Sequence, residues 1–354
     1  MKKIKRILAV LLAVTLILGT AGCGNTKESN NTSDSEKTSS ESGELKTIRI
    51  GSPTADATAL NENAGLALNF GYLEEELKKA GYKAEYTGFG QGGTAVNEAL
   101  ASNQLDFGFV GDIPPIVAQS NGLNIQVVAS LNTASELGIV VGNKSGIKSV
   151  SDLKGKKIVA GFGTVTYVYL VNLLKKNNMS IDDVEVINDI ANGATLVASG
   201  DADAVISSGI GIYMFQNAGI GEILTSSRED SSLSAQYFAY GNTSFIKENS
   251  EAVKAIIRAL VRSKEKANSD PDAAYKALAT EERPAAVLEQ AYPRDIGFDI
   301  FDPYLTKTSR DKYEATSQIL FDNKIITSKV KAENIFNTEY LDEVYKELGL
   351  DIPS

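Results

Sequence analysis

One pattern limits this chain more than any other: short β-forming runs alternate with helical stretches, and the alternation starts twice. Residues 47–51 form a β run that ends in a Gly-Ser-Pro loop. Residues 64–80 place Leu66, Phe70, Leu73 and Leu77 at helical spacing, with Gly81 to close the helix. A strand over 82–87, a glycine-rich turn over 88–93, a helix over 94–102 and a strand over 105–110 follow. The second round has strands at 139–141, 156–161, 184–187 and 204–207, with helices over 164–177 and 193–199. Such a rhythm predicts an α/β fold with largely parallel strands. Beyond residue 248 the pattern is helical to residue 346, with a helix start at Ser269-Asp270-Pro271 and a turn at Tyr292-Pro293.

A chain of 354 residues exceeds what one hydrophobic core usually holds, so two lobes are expected. Residues 45–132 and 240–354 are assigned to lobe one and residues 133–239 to lobe two. Hinges are expected near 132–136 and 240–243.

The N-terminus carries an address. Lys2, Lys3, Lys5 and Arg6 precede an apolar run over 7–18, and Gly19-Thr20-Ala21-Gly22 leads to Cys23. That order predicts a secretory signal peptide over 1–22, since a spanning helix needs roughly 20 apolar residues. Cys23 is the single cysteine, so no intramolecular disulfide forms. Its setting resembles the lipobox of bacterial lipoproteins, with Thr20 where that motif usually has Leu; the resemblance implies lipidation at Cys23. Residues 23–44 are polar and predict a disordered tether. The protein is expected outside the cytoplasmic membrane, lipid-anchored to it.

Composition removes several functions. The formal net charge is −10, and losing the signal peptide's basic residues makes it more negative, which argues against nucleic-acid binding. There is no histidine, so His-based acid–base catalysis, Ser–His triads and His-ligated metals are excluded. No cofactor, metal or catalytic residue is expected.

The run Gly90-Gln91-Gly92-Gly93-Thr94, Glu98-Ala99-Leu100, Leu105-Asp106-Phe107-Gly108 and Gly111-Asp112-Ile113-Pro114-Pro115 closely resembles the substrate-binding proteins of nitrate, sulfonate and taurine ABC transporters, the aliphatic-sulfonate binders above all. Ile147-Lys148-Ser149-Val150, Asp152-Leu153-Lys154-Gly155-Lys156-Lys157, Gly161 with Gly163-Thr164, and Gly200-Asp201-Ala202-Asp203-Ala204 extend it. The resemblance implies a two-lobed periplasmic-binding-protein fold of type II with two crossovers. It also implies a small-molecule ligand in the cleft, a partner permease with its ATPase, and a monomer.

In α/β sheets, ligands sit beyond the carboxyl ends of the strands. The loops over 88–94, 111–114 and 161–166 lie there, and helix N-termini offer unpaired amides to an oxyanion. The candidate ligand-binding residues are Ser52, Gln91, Gly92, Gly93, Thr94, Gly111, Asp112, Ile113, Gly163, Thr164, Val165, Thr166, Ser207, Ser208 and Tyr213. Residues 88–115, 161–170 and 205–216 contain no Lys or Arg, so neutral donors must hold an anion unless Arg49 or a later residue reaches in. A monovalent oxyanion or a zwitterion is therefore expected. Asp112 either meets an ammonium group or caps the following helix, and the cap is favoured. Sulfonate binders often read Trp-Asp-Pro-Tyr where this chain has Ser207-Ser208-Gly209-Ile210-Gly211-Ile212-Tyr213. Tyr167, Tyr169, Tyr213, Tyr237 and Phe238 are alternative walls. Competing readings are a binder of a thiamin-pyrimidine precursor, a ligand sensor, and an enzyme of the same fold.

Overall fold

The computed structural model describes residues 44–353 apart from 55, 59 and 61. The expected signal peptide, Cys23 and the tether up to residue 43 lie outside the described residues. Residues from Gly43 onward form one compact unit. The first round comprises β1 (Lys46–Ser52), α1 (Glu62–Asn69), α2 (Tyr72–Lys79), β2 (Tyr82–Gly88), α3 (Gly93–Ala101), β3 (Phe107–Gly111) and α4 (Ile113–Ser120). The single helix expected over 64–80 is two helices. Gly71, at φ 75°, takes a left-handed conformation that breaks the axis before Tyr72.

Long strand β4 (Ile125–Ser135) passes into β5 (Leu137–Gly142) with only Glu136 between them. β6 (Lys157–Val159), α5 (Val165–Lys176), β7 (Glu185–Ile187), α6 (Gly193–Ser199), β8 (Ala204–Ser208), α7 (Ile210–Asn217) and β9 (Gly221–Ser226) make the second round. The chain returns through β10 (Ala235–Asn242) and continues as α8 (Thr243–Glu248), α9 (Ser250–Ser269), α10 (Pro271–Leu278), α11 (Ala285–Ala291), α12 (Lys307–Asp322) and α13 (Glu339–Glu347). No helix among the described residues is long and apolar enough to cross a membrane.

Two five-stranded mixed sheets result, ordered β2-β1-β3-β10-β4 and β7-β6-β8-β5-β9. β1 lies parallel to β2 and β3, whereas β10 runs antiparallel to both β3 and β4. In the second sheet β5 is antiparallel to β8 and β9. The antiparallel strands are those adjoining the crossings, which enter each sheet from the other.

The boundary expected at 239/240 falls inside β10. Tyr237 pairs with Gly111 and Gly241 with Phe107, so the chain has rejoined the first sheet by Ala235. The second connection is the polar stretch 227–234, not the hinge expected over 240–243. Apolar Phe238 and Tyr240 supply the reason. Both are fully buried in the first sheet's core with Ile48, Phe107, Ile256 and Leu260. The second sheet has its own core around Ile139, Ile158, Leu170, Leu174 and Ile206.

The C-terminal segment does not wrap the first round alone. Val287, Leu288 and Ala291 of α11, with Tyr292, Phe298 and Phe301, share one apolar cluster with Leu66 of α1, Ile212 of α7 and Val140, Val159 and Val205 of the second sheet. The two connections are tied to this segment by charge. Glu136 accepts from Arg228 (2.6 Å), Tyr213 (2.8 Å) and Ser226 (2.5 Å), while Arg228 also donates to the carbonyls of Gln290 and Ala291. Leu288→Ala, fully buried in the joining cluster, is expected to cost about 2–5 kcal/mol in urea-denaturation experiments.

Candidate functional site

The loops at the carboxyl ends of the strands form a connected ring of contacts. A Cβ on Gly93, the first residue of α3, would lie 2.1 Å from Pro114 Cγ at the start of α4. A Cβ on Gly111 would lie 3.2 Å from Val165 Cγ1 at the start of α5 and 3.9 Å from the Tyr237 ring. Tyr237 Oη in turn lies 3.5 Å from Ser208 Oγ, just before α7. Ends of α3, α4, α5 and α7 are thus brought together, and glycine at positions 93 and 111 is what permits the approach.

Each of these helices opens without a side-chain cap. Gly92 (φ 89°), Asp112, Thr164 and Gly209 (φ 52°) occupy the cap positions, and none donates or accepts a capping bond through a side chain. Their first amides lack helical partners, and the helix dipoles add positive potential.

One carboxylate sits against this ring. Glu62 opens α1, is 6% exposed and has a left-handed backbone, φ 57°. It accepts hydrogen bonds from Asn132 Nδ2 (2.5 Å), Ser135 Oγ (3.1 Å) and Tyr292 Oη (3.4 Å). Burial pushes its carboxyl above the usual range, against these bonds, which favour the charged form. A Cβ on Gly209 would lie 3.8 Å from Glu62 Oε1, so the carboxylate faces the second sheet's α7. Among the described residues no group of His, Cys, Asp or Glu is placed to hold a metal ion.

The family model described as NMT1/THI5 like matches residues 77–274, more than half of the chain. The chain belongs to that family. A Bacillus subtilis (strain 168) protein named for binding aliphatic sulfonates is 27% identical over 353 residues, covering 97% of this chain and 98% of its own. A 4-amino-5-hydroxymethyl-2-methylpyrimidine phosphate synthase of Saccharomyces cerevisiae, THI12, is 27% identical over 202 residues, 51% of this chain and 57% of its own. Among solved structures, a periplasmic sulfonate-binding protein SsuA of Methylobacillus flagellatus KT gives a TM-score of 0.74 at 26% identity, covering 87% of this chain and 96% of its own. The fold is the α/β periplasmic-binding-protein fold, with two sheets and two crossings.

Within this family member the candidate residues separate by environment. Gln91 and Thr94 are exposed and Gly92 and Gly93 half-buried at the open start of α3. Gly163, Thr164 and Val165 are half-buried at the start of α5, and Val165 packs on the cores of both sheets. The threonine hydroxyls are occupied locally. Thr164 Oγ1 donates to Gly161 O (2.7 Å), and Thr166, which accepts from the Gly161 amide (3.0 Å), therefore donates to Thr164 (2.8 Å). Ser52 is likewise spent, because Thr54 Oγ1 donates to Asp56 O and leaves Ser52 Oγ to donate to Thr54 at 2.8 Å.

Three expectations are revised, and the exception left open for Arg49 is closed. Asp112 does not cap α4 through its side chain; it accepts from Thr316 Oγ1 of α12 (3.1 Å) and lines a cavity of ≈ 50 Å³ with Val165 and Lys312. Ile113 is 1% exposed and belongs to the first core. Tyr213 is taken up by Glu136 and lies beside Arg228, 5.4 Å from its ring. Arg49 does not reach the ring, since Asp106 holds its guanidinium with bonds of 2.6 and 2.9 Å. Ser207 is half-buried, and a Cβ on Gly211 would meet its Oγ at 2.2 Å. Tyr169 and Phe238 are core residues, whereas Tyr167 packs edge-on to Phe162, which is 55% exposed.

Glu62, Asn132, Ser135 and Gly209 went unrecognised as a group. They are separated by up to 147 positions of chain, and no local motif links them. Only the hinge expectation around 132–136 touched part of the set.

Two outcomes follow from these environments. Asp112 is buried, which pushes its carboxyl from 3.8 up to about 6, and Lys312 nearby opposes the rise. The folded chain keeps that proton to higher pH than the unfolded chain, so stability falls as pH rises from about 4 through about 6. Asp112→Asn is expected to melt higher than the wild type near pH 7.5, with the gap closing below about pH 4. Thr166→Val leaves the Gly161 amide without its acceptor and is expected to cost roughly 1–3 kcal/mol by chemical denaturation.

Proposed function

We propose that this protein is the solute-capturing component of an ABC importer, taking a small sulfonate-type oxyanion or zwitterion between its two sheets and delivering it to a permease. The observation that carries the reading is the ring in which helix starts without side-chain caps, contributed by both sheets, meet through Gly93, Gly111 and Val165. Amides preorganised in this way bind anions without a buried cation to desolvate. This suits loops that contain no Lys or Arg. Full-length similarity to the sulfonate-named Bacillus subtilis protein supports the same class.

The function is binding without chemistry. The yeast synthase aligns over only 51% of this chain, and a chain without histidine has no imidazole to serve as acid or base. The proposal places the protein outside the cytoplasmic membrane, held by lipid on Cys23, and working as a monomer. Closure follows if the ligand bridges the ring, because the closed state then gains the contacts of both halves.

Isothermal titration and thermal melts against alkanesulfonates, aminoalkanesulfonates and nitrate test the reading. A ligand at ~100 times its Kd is expected to add about 2.7 kcal/mol of stability. Absence of any shift with every one of these anions would sink the sulfonate-type assignment. Gly111→Val, whose side chain would meet Val165, is expected to weaken capture by about tenfold or more.

A further inference from the structure

Among the described residues the buried carboxylates Glu76 and Asp106 are paired with cations, whereas Glu62 and Asp112 form no ion pair. Glu76 is bridged by Lys79 and Arg258 and by Arg262, and Asp106 by Arg49. Glu136, mostly covered, has Arg228, and Asp112 feels the nearby Lys312. Glu62, 6% exposed, is buried like them, yet its partners are an amide, a hydroxyl and a phenol. No ion pair joins it to Lys or Arg among the described residues. Removing an unpaired carboxylate from water is costly. The backbone adds a second cost, since φ of 57° is unfavourable for a non-glycine residue. Both costs fall on one residue, at the place where the first sheet's α1 meets Ser135 of the first connection and Gly209 of the second sheet's α7.

The carboxylate also has acceptor capacity to spare. Two oxygens offer about four lone-pair positions, and the phenol bond at 3.4 Å is long. A cavity of ≈ 160 Å³ is lined by Gly209 and Tyr292, which stand against Glu62, and on its other side by Glu136 and Arg228. The ring of helix starts offers positive potential, and Glu62 offers negative charge in the same region.

We propose that Glu62 selects the solute by pairing with an N–H cation that it carries, an ammonium or a protonated amidine-like nitrogen, while the helix starts hold its anionic end. The assignment rests on the solute-capture reading above. A ligand with both charges satisfies both parts of the site, whereas a bare anion would meet an unpaired carboxylate. Asp112 is already engaged by Thr316 and has Lys312 nearby.

The test compares amine-bearing compounds with neutral isosteres on the full chain by isothermal titration. The two pairs are 2-aminoethanesulfonate against 2-hydroxyethanesulfonate and 3-aminopropionate against 3-hydroxypropionate. The wild type is expected to bind at least one amine about tenfold or more tightly than its isostere. Glu62→Gln, which keeps the shape and folding by circular dichroism, is expected to erase that preference without weakening the isostere. Equal binding of amine and isostere by the wild type in both pairs, including no binding at all, overturns the assignment. So does a preference that survives Glu62→Gln. If both sulfonates fail while another amine binds through Glu62, the sulfonate reading falls and the Glu62 assignment stands.

Discussion

Everything about this molecule as a device depends on how the chain passes twice between its two sheets. The first passage is one residue long, Glu136, and the second is the polar stretch 227–234. Two such links would leave the halves loosely joined were they not tied to each other. The Glu136 carboxylate does this by accepting from Arg228 and Ser226 of the second passage and from Tyr213 of α7. Arg228 extends the tie to the carbonyls that end α11. The ion pair is partly covered, with side-chain exposures of 37% and 11%. Its surroundings therefore screen it less than a surface pair.

That arrangement acts directly on the carboxyl ends of β3 and β8, which adjoin the passages: Tyr237 pairs with Gly111 and Leu137 with Ser208. With the sheets held edge to edge at the passages, the carboxyl ends of β1, β3 and β8 bring loops together rather than scattering them over the surface. Gly93 and Gly111 then matter for what they lack, because a single methyl group at either would press on Pro114 or Val165. The electrostatic outcome is mixed in sign. Open amides of α3, α5 and α7 face a region that also contains the Glu62 carboxylate, and no basic side chain lies in the loops to balance it.

The hydroxyl groups teach a related lesson. Thr164 and Thr166 read as free donors because their spacing at a helix start is correct for that role. In three dimensions each proton already has an acceptor within the turn, so the threonines shape the loop and leave the amides to face outward. Asp112 shows the same effect. Its carboxylate is taken up by Thr316 of α12, within a cavity that Val165 also lines.

Local chemistry determined a good deal. Strand and helix periods, the glycine turns and the two α/β rounds are properties of ten- to twenty-residue windows, and they located β1, β2, β3 and α3 to within a few residues. The break at Gly71 and the early start of β10 escaped because a flexible glycine and an apolar alternation are each compatible with more than one path. Tertiary structure alone decided that α11 and Phe301 join the second sheet's cluster. It alone decided that Glu62 meets Asn132, Ser135 and Tyr292. The reason is physical: periodicity says which face of an element is apolar but not which distant face will cover it. The charge of a buried carboxylate is invisible as a cost until packing has removed the water around it.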